Sequence, residues 1–115
     1  MSDQSEKILA FEIEREGGIA VVRCQGRLVA GTTEEFYREV KRLLPEEKVV
    51  VIVLADLTYV DSMGLGALVR LYTSARQAGC ELRLLNLGKQ LRNLLKMTNL
   101  LSVLCQAEEH GINVG

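Results

Sequence analysis

A short run containing one carboxylate, one hydroxyl and two glycines is the segment of this chain best suited to chemistry. The run, Asp61 to Gly66, has the sequence DSMGLG and lies between an apolar stretch and a helical pattern. A hydroxyl just before a helix accepts hydrogen bonds from free backbone N–H groups, so we expect Ser62 to be the N-cap. A helix N-terminus also favours a phosphate. The spacing therefore allows either a plain helix cap or a site for a phosphate.

Two glycines in the first turn of this helix bear on that choice. Gly64 and Gly66 remove side chains from the turn, so the backbone of another protein can approach closely. Each glycine costs about 1 kcal/mol of helix stability relative to alanine. We therefore expect something other than helix stability to favour both glycines.

The carboxylates of Asp56 and Asp61 suggest two alternative functions, an enzyme and a response-regulator receiver. Asp56 follows a buried central strand, as the phosphoacceptor of a receiver does. Receivers also need an acidic pair after the first strand and a lysine at the end of the last, and the sequence has neither. Asp56 and Asp61 as a catalytic pair lack an accompanying nucleophile, metal cluster or phosphate loop. Both alternatives are disfavoured, and we predict that the protein is not an enzyme.

Cysteine and histidine add no second site. Cys24, Cys80 and Cys105 form no C-x-x-C pair, and each lies in or beside an apolar stretch, where we expect it to be buried and inert. His110 has no second histidine to work with. The sequence predicts no catalytic residue, no metal site and no cofactor.

The elements that position Ser62 follow from hydrophobic periodicity and from residues that end helices. A glycine turn at Glu16–Gly18 predicts a hairpin between the first two strands, and Gly26–Gly31 predicts a connection. Thr32 and Glu35 match a capping box at the start of the first helix. The predicted strands are 8–14, 19–24, 49–55 and 81–87, with a short edge strand at 101–105, and the predicted helices are 32–44, 62–78 and 89–98.

The strand before Ser62 is the strongest of these predictions. Val49–Ala55 is a continuous run rich in β-branched residues, which is typical of a central strand buried on both faces. We expect Asp56–Asp61 to be a loop at its carboxyl end. Pro45 ends the first helix, Gly79 the second, and Asn99 in a left-handed conformation the third.

The element order β-β-α-β-α-β-α-(β) predicts an α/β fold. Right-handed crossovers make the later strands parallel, so the sheet is mixed, with four to five strands, an N-terminal hairpin and three or more helices. The 115 residues suit a single domain, 1–115, whose ends at 1–7 and 106–115 we expect to be frayed. The polar start of the chain lacks the features of a signal peptide, and no apolar run approaches a membrane span, so a cytoplasmic location is expected.

Charge is distributed unevenly along the chain. The net charge is −1, so neither nucleic-acid binding nor insertion into a membrane is predicted. Twelve acidic and eight basic residues lie in 1–61, whereas 62–105 has one acidic and six basic. The basic half suits either an acidic partner or phosphate, or it forms ordinary solvated helix faces.

The segment Tyr59 to Gly66, YVDSMGLG, resembles the signature of STAS domains, and specifically that of the bacterial anti-sigma-factor antagonists. The resemblance extends from about Ile8 to Leu104 and includes Gly26-Arg27-Leu28, Asp56-Leu57 and the end of the last helix. Arg27 and Val29 differ from the family, since relatives often carry an acidic pair there. Met63 stands where small hydroxyl residues are frequent, and Asn99 where glycine is usual.

The resemblance implies a switch based on partner binding. In that family the serine at the position of Ser62 is phosphorylated by a protein that is both a serine kinase and an anti-sigma factor. The unphosphorylated antagonist binds this protein and frees the sigma factor, and a serine phosphatase resets the system. We predict a monomer or weak dimer. The partner-binding residues that it implies are Arg27, Val29, Asp56, Tyr59, Asp61, Ser62, Met63, Gly64 and Gly66.

A second binding role remains open. STAS domains also occur as subunits of lipid-trafficking ABC systems and in stress-signalling assemblies. In such a role the chain is a binding module and Ser62 is never phosphorylated.

Overall fold

Residues 8–99 are described by the computed structural model, and this part of the chain contains four strands and three helices in the predicted order. The strands are β1 (Leu9–Glu16), β2 (Ile19–Leu28), β3 (Val49–Val60) and β4 (Glu81–Leu85), and the helices are α1 (Thr33–Leu43), α2 (Ser62–Ala78) and α3 (Lys89–Met97).

The sheet is mixed, with strand order β1-β2-β3-β4. Strands β1 and β2 form the predicted antiparallel hairpin, whereas β2, β3 and β4 are parallel. Gly17 and Gly18 make the two-residue turn, and their φ angles of 61° and 86° are the positive values that such hairpin turns require. The prediction of an α/β fold with a mixed sheet and an N-terminal hairpin is confirmed.

One face of the sheet carries the core. Alternate residues of β3, Val50, Ile52 and Leu54, are buried in one cluster with residues of α1 and α2 such as Phe36 and Leu68. The other residues of β3, at 49, 51 and 53, are only half-buried. The prediction that this strand is buried on both faces is therefore wrong within residues 8–99.

Strand β3 is longer than predicted. It continues through Val60, so the prediction of a loop at Asp56–Asp61 is wrong. Strand β2 likewise continues through Leu28 into the predicted connection. The pairing of β2 with β3 shifts register twice, between Arg23 and Gln25 and between Gly26 and Arg27, so β3 contains two extra residues over this stretch.

Helix ends show one further difference. Thr32 is the N-cap of α1, as predicted, but its side chain makes no capping hydrogen bond to the helix, so the capping box with Glu35 is absent. Strand β4 is shorter than predicted, since it ends at Leu85 and not at Leu87. The next residue, Asn86, has a positive φ of 60°. Gly79 and Asn99 do adopt the predicted left-handed conformation at the ends of α2 and α3. The edge strand predicted at 101–105 and the ends expected to be frayed, 1–7 and 106–115, lie outside the described residues.

Candidate functional site

The two central strands end side by side. Leu28 of β2 is the register partner of Val60 of β3, and the two strands are parallel. The segment that follows β2 and the start of α2, which follows β3, are therefore neighbours at the carboxyl ends of these two strands. This arrangement places Ser62 beside residues 29–32.

The segment after β2 is held by Thr32. The Thr32 hydroxyl accepts a hydrogen bond from Val29 N–H at 3.0 Å, and its oxygen lies 3.1 Å from Arg27 O and 2.9 Å from Val29 O, either of which can take its proton. Thr32 N–H also donates to Val29 O at 2.9 Å. The Thr32 side chain thus stabilises its own loop instead of capping α1, because these nearer backbone groups use its hydrogen-bonding capacity.

Asp61, and not Ser62, is the N-cap of α2, so that prediction is wrong. Its backbone is extended, and its Oδ1 accepts from Gly64 N–H at 2.9 Å. The other carboxylate oxygen, Oδ2, accepts from Ala30 N–H at 3.0 Å. An aspartate caps a helix as well as a serine does, and a carboxylate has two oxygens with which to bind two elements at once. Asp61 therefore joins the start of α2 to the segment after β2.

The two backbone donors also hold the Asp61 carboxylate in its charged form. Hydrogen bonds from Ala30, first, and then from Gly64 lower the pKa of Asp61 below its ordinary value. Asp61 is consequently ionised at neutral pH, next to the Ser62 hydroxyl.

Gly64 is required by packing inside the protein. It is buried, and a Cβ on it would overlap the carbonyl oxygen of Leu28 and lie 3.0 Å from Val60 Cγ1. Gly66 is different, because a Cβ there would meet nothing within 4 Å. The absence of a side chain at Gly64 lets α2 approach β2, and only Gly66 leaves space at the surface for another protein.

Four exposed side chains surround this capped helix end. Ser62 is exposed at the first position of α2, and Met63 beside it is 54% exposed. Tyr59 is 47% exposed near the end of β3, and its register partner Arg27 is also exposed. We call Arg27, Tyr59, Ser62 and Met63 the Ser62 surface. It combines large apolar side chains with a hydroxyl and a cation, a mixture suited to binding a protein.

The structure separates the other predicted site residues from this surface. Asp56 is exposed on β3, but it lies five positions before Asp61 along an extended chain, about 16 Å at 3.3 Å per residue. Val29 is half-buried in the loop held by Thr32. Asp61 and Gly64 hold the start of α2 in place, through the Asp61 hydrogen bonds and the close approach of α2 to β2 at Gly64.

Gln90 is a residue of this site that the sequence did not reveal. Its Oε1 accepts from Val60 N–H at 3.0 Å, and its Nε2 donates to Val60 O at 2.9 Å. The side-chain amide thereby continues the hydrogen bonding of the sheet at the end of β3 and fixes α3 next to Asp61. A glutamine in the first turn of a helix carries no specific signal for such a contact.

The Asp61 hydrogen bonds predict a pH dependence. A lowered pKa in the folded state means that the stabilisation is fully present above the ordinary aspartate pKa of about 3.9 and is lost as pH falls through the folded value. We expect Asp61→Asn to melt below the parent protein at pH 7, with a difference that shrinks below about pH 4. Thermal melts between pH 7 and pH 2.5 measure this.

Asp56→Asn is the matched control. Asp56 is exposed on β3, the strand that leads to Asp61, and its carboxylate makes no hydrogen bond within residues 8–99, so the melting temperature should change little at any pH. An Asp61→Asn difference that is the same at every pH contradicts a role for the ionised carboxylate.

Residues 8–99 give little support for metal binding or for thiol chemistry. These residues contain no group of three or more His, Cys, Asp or Glu side chains arranged to hold a metal ion. Cys24 and Cys80 are free and buried, as predicted, and burial raises the pKa of the Cys24 thiol to about 12. Cys105 and His110 lie outside the described residues. None of the helices in the described part is both long and apolar enough to cross a membrane.

Comparison with known proteins gives a consistent picture. The family model of the STAS domain matches residues 10–111. An anti-sigma F factor antagonist from Paenibacillus polymyxa is 26% identical over 98 residues, which cover 84% of this chain and 84% of that protein.

Solved structures show the same fold. A putative anti-sigma factor antagonist from Thermotoga maritima superposes with a TM-score of 0.76 at 20% identity, over 83% of each chain. The unphosphorylated form of the anti-sigma factor antagonist SpoIIAA gives a TM-score of 0.69 at 19% identity, over 79% of this chain and 82% of that one. The phosphorylated form of the Bacillus protein gives 0.67, over 79% and 85%. At these identities the likeness concerns the fold.

Proposed function

This chain belongs to the STAS domain family, and on that premise we propose that it is an anti-sigma-factor antagonist switched off by phosphorylation of Ser62. In its unphosphorylated state it binds an anti-sigma factor that is also a serine kinase, and a sigma factor is released. A serine phosphatase returns the phosphorylated form to the active state. The cycle takes place in the bacterial cytoplasm.

The observation that carries this proposal is the placement of Ser62. Ser62 is exposed at the first position of α2, on a helix end fixed by Asp61, Gly64 and Gln90. A kinase can reach this hydroxyl without unfolding the protein. The similarity to an anti-sigma F factor antagonist supports the same role.

The proposal assigns no catalysis to this chain. The kinase and the phosphatase act on it from outside, and the chain contributes the Ser62 surface to which they bind. Incubation of the purified protein with ATP alone should therefore give no phosphorylation.

Phosphate labelling tests the assignment of Ser62. With its cognate kinase and ATP, the chain should take up one phosphate, and Ser62→Ala should take up none. Thr58→Ala is the matched control, because Thr58 is an exposed hydroxyl nearby on β3 and its removal should leave labelling unchanged.

Undiminished labelling of Ser62→Ala would refute the proposal. Affinity isolation of partner proteins with the full chain distinguishes the anti-sigma-factor antagonist from the second binding role. Recovery of a transporter ATPase instead of an ATP-binding kinase, together with unmodified Ser62 in cells, favours a STAS subunit that works without phosphorylation.

A further inference from the structure

Helices α1 and α2 leave a groove between them that lies apart from the Ser62 surface. Its volume is about 480 Å³. The residues that line it carry four cations, one carboxylate and one aromatic ring, and they are Glu34, Tyr37, Arg38, Lys41, Arg42 and Arg70. None of them belongs to the Ser62 surface, and the proposed switch makes no use of them.

Tyr37 lines the groove, and its ring is close to two cations. The guanidinium carbon of Arg70 is 4.0 Å from the centre of its ring, and Lys41 Nζ is 5.5 Å from it. The Tyr37 hydroxyl lies 3.4 Å from Ser74 Oγ. This hydrogen bond, together with the positive charge of Lys41, lowers the pKa of Tyr37. The Tyr37 ring therefore contacts one cation from each helix, Lys41 of α1 and Arg70 of α2.

Within residues 8–99, the positive charge of the groove is only partly compensated. Arg42 pairs with Glu39 at 2.8 Å. Within residues 8–99, Arg38, Lys41 and Arg70 form no salt bridge. Cations fixed along a concave surface attract anions and orient them.

We propose that this groove binds an acidic segment of a partner protein, with the carboxylates of the segment contacting Arg38, Lys41 and Arg70. The flat guanidinium of Arg70 matches the two oxygens of a carboxylate. The Arg38 and Lys41 side chains lie almost one turn apart on α1, so they contact successive carboxylates of one segment. Glu34 repels negative charge at its end of the groove and so gives the segment a preferred position.

Three other occupants fit the groove less well. A lipid surface needs apolar side chains to insert beside the cations, and the exposed large apolar side chains in residues 8–99 (Ile8, Ile19, Tyr59, Met63 and Met97) all lie outside the groove. A nucleic acid usually contacts more cations than these four. A single small oxyanion needs converging donors, whereas these cations are distributed along two helices.

A capped hexaglutamate peptide is a suitable probe. Added to the full-length protein labelled with ¹⁵N, it should shift the amide signals of residues 34–42 and 70–74 and leave those of 59–63 in place. Arg70→Glu and, separately, Lys41→Glu should each weaken binding at least about tenfold, because they place like charges together. Added salt should weaken binding to the parent protein.

Arg23→Glu is the matched control, since Arg23 is exposed on β2 outside the groove and its replacement makes the same change in charge. The proposal is overturned if the peptide causes no shifts, if Arg23→Glu weakens binding as much as the groove variants, or if inorganic phosphate at the same concentration causes the same shifts. Cosedimentation with phosphatidylglycerol vesicles that depends on Arg70, without peptide binding, assigns the groove to lipid and also overturns it. The experiment uses no anti-sigma factor, so its outcome is independent of the Ser62 proposal.

Discussion

Gly64→Ala is expected to lower the melting temperature by about 10 °C. A Cβ at this position overlaps the backbone oxygen of Leu28, which cannot move without displacing the end of β2. Overpacking of this kind costs about 1–3 kcal/mol, and contact with backbone places it at the upper end. Alanine returns about 1 kcal/mol of helix propensity, so the net loss is about 2 kcal/mol. At about 4–8 °C per kcal/mol for a domain near this size, a thermal melt resolves it easily.

Gly66→Ala is the matched control, two residues along the same helix. Its Cβ meets nothing within 4 Å, so alanine should raise stability by up to about 1 kcal/mol. Opposite signs for the two substitutions identify Gly64 as the point of close approach. A Gly64→Ala variant as stable as the parent protein contradicts that assignment.

The same pair separates stability from binding. If Gly66 leaves space for the backbone of the anti-sigma factor, Gly66→Ala gives a protein that is more stable and yet binds the partner less tightly. Equal affinity of Gly66→Ala and the parent protein shows that the partner does not approach α2 at this turn.

Phosphorylation of Ser62 should weaken binding to the anti-sigma factor by about 30-fold or more while leaving the fold in place. The phosphate adds about −1.5 to −2 charge at an exposed helix N-terminus, where the dipole favours it by roughly 0.3–1 kcal/mol. The neighbouring carboxylate of Asp61 opposes it, so the net effect on stability is small. At the interface the phosphate is unpaired charge and bulk, which costs about 2–5 kcal/mol. Titration calorimetry measures the affinity, and a thermal melt of the phosphoprotein measures the stability.

Ser62→Asp and Ser62→Glu should reproduce part of this loss, because each adds one charge instead of nearly two. Thr58→Glu serves as the control, since it adds the same charge to an exposed position on β3. Two results would contradict this local explanation: a phosphoprotein that melts far below the parent protein, and NMR shift changes that extend well beyond residues 61–66. Either result would indicate a conformational switch.

The sequence predicts the strand–helix junction at which the candidate site lies, but it does not predict the contacts within that junction. The strand before Ser62 and the helix after it follow from periodicity, and the DSMGLG run marks their junction. The sequence favours Ser62 as the cap of α2, although Asp61 is an equally good capping residue. What decides between them is the Ala30 N–H, which is brought to the second Asp61 oxygen by the parallel pairing of β2 and β3. No local pattern contains that contact.

Within residues 8–99, the strands were predicted correctly in type and order but not in length. Asp56 has low strand propensity and predicts the start of a loop. The strand nevertheless continues from Leu57 to Val60, because β2 continues beside it. Burial of β3 was overestimated for a related reason. A run of β-branched residues indicates a strand, but whether helices cover one face or two depends on the whole topology.

The two register shifts in β3 also bear on which sequence changes a lineage can tolerate. Each shift adds one residue to β3 and interrupts the alternation of side chains, so positions 55 and 56 are both exposed, as are 58 and 59. Such bulges bend a strand and increase its twist, so removing one residue between Val53 and Val60 would straighten β3 and change the direction in which it leads into α2. The Asp61 carboxylate would then be displaced from Ala30 and Gly64. Most substitutions at the exposed positions 55, 56 and 58 preserve the site, whereas a single-codon deletion anywhere among them removes it. Homologous chains that retain the switch should therefore vary in composition across this stretch and remain constant in its length.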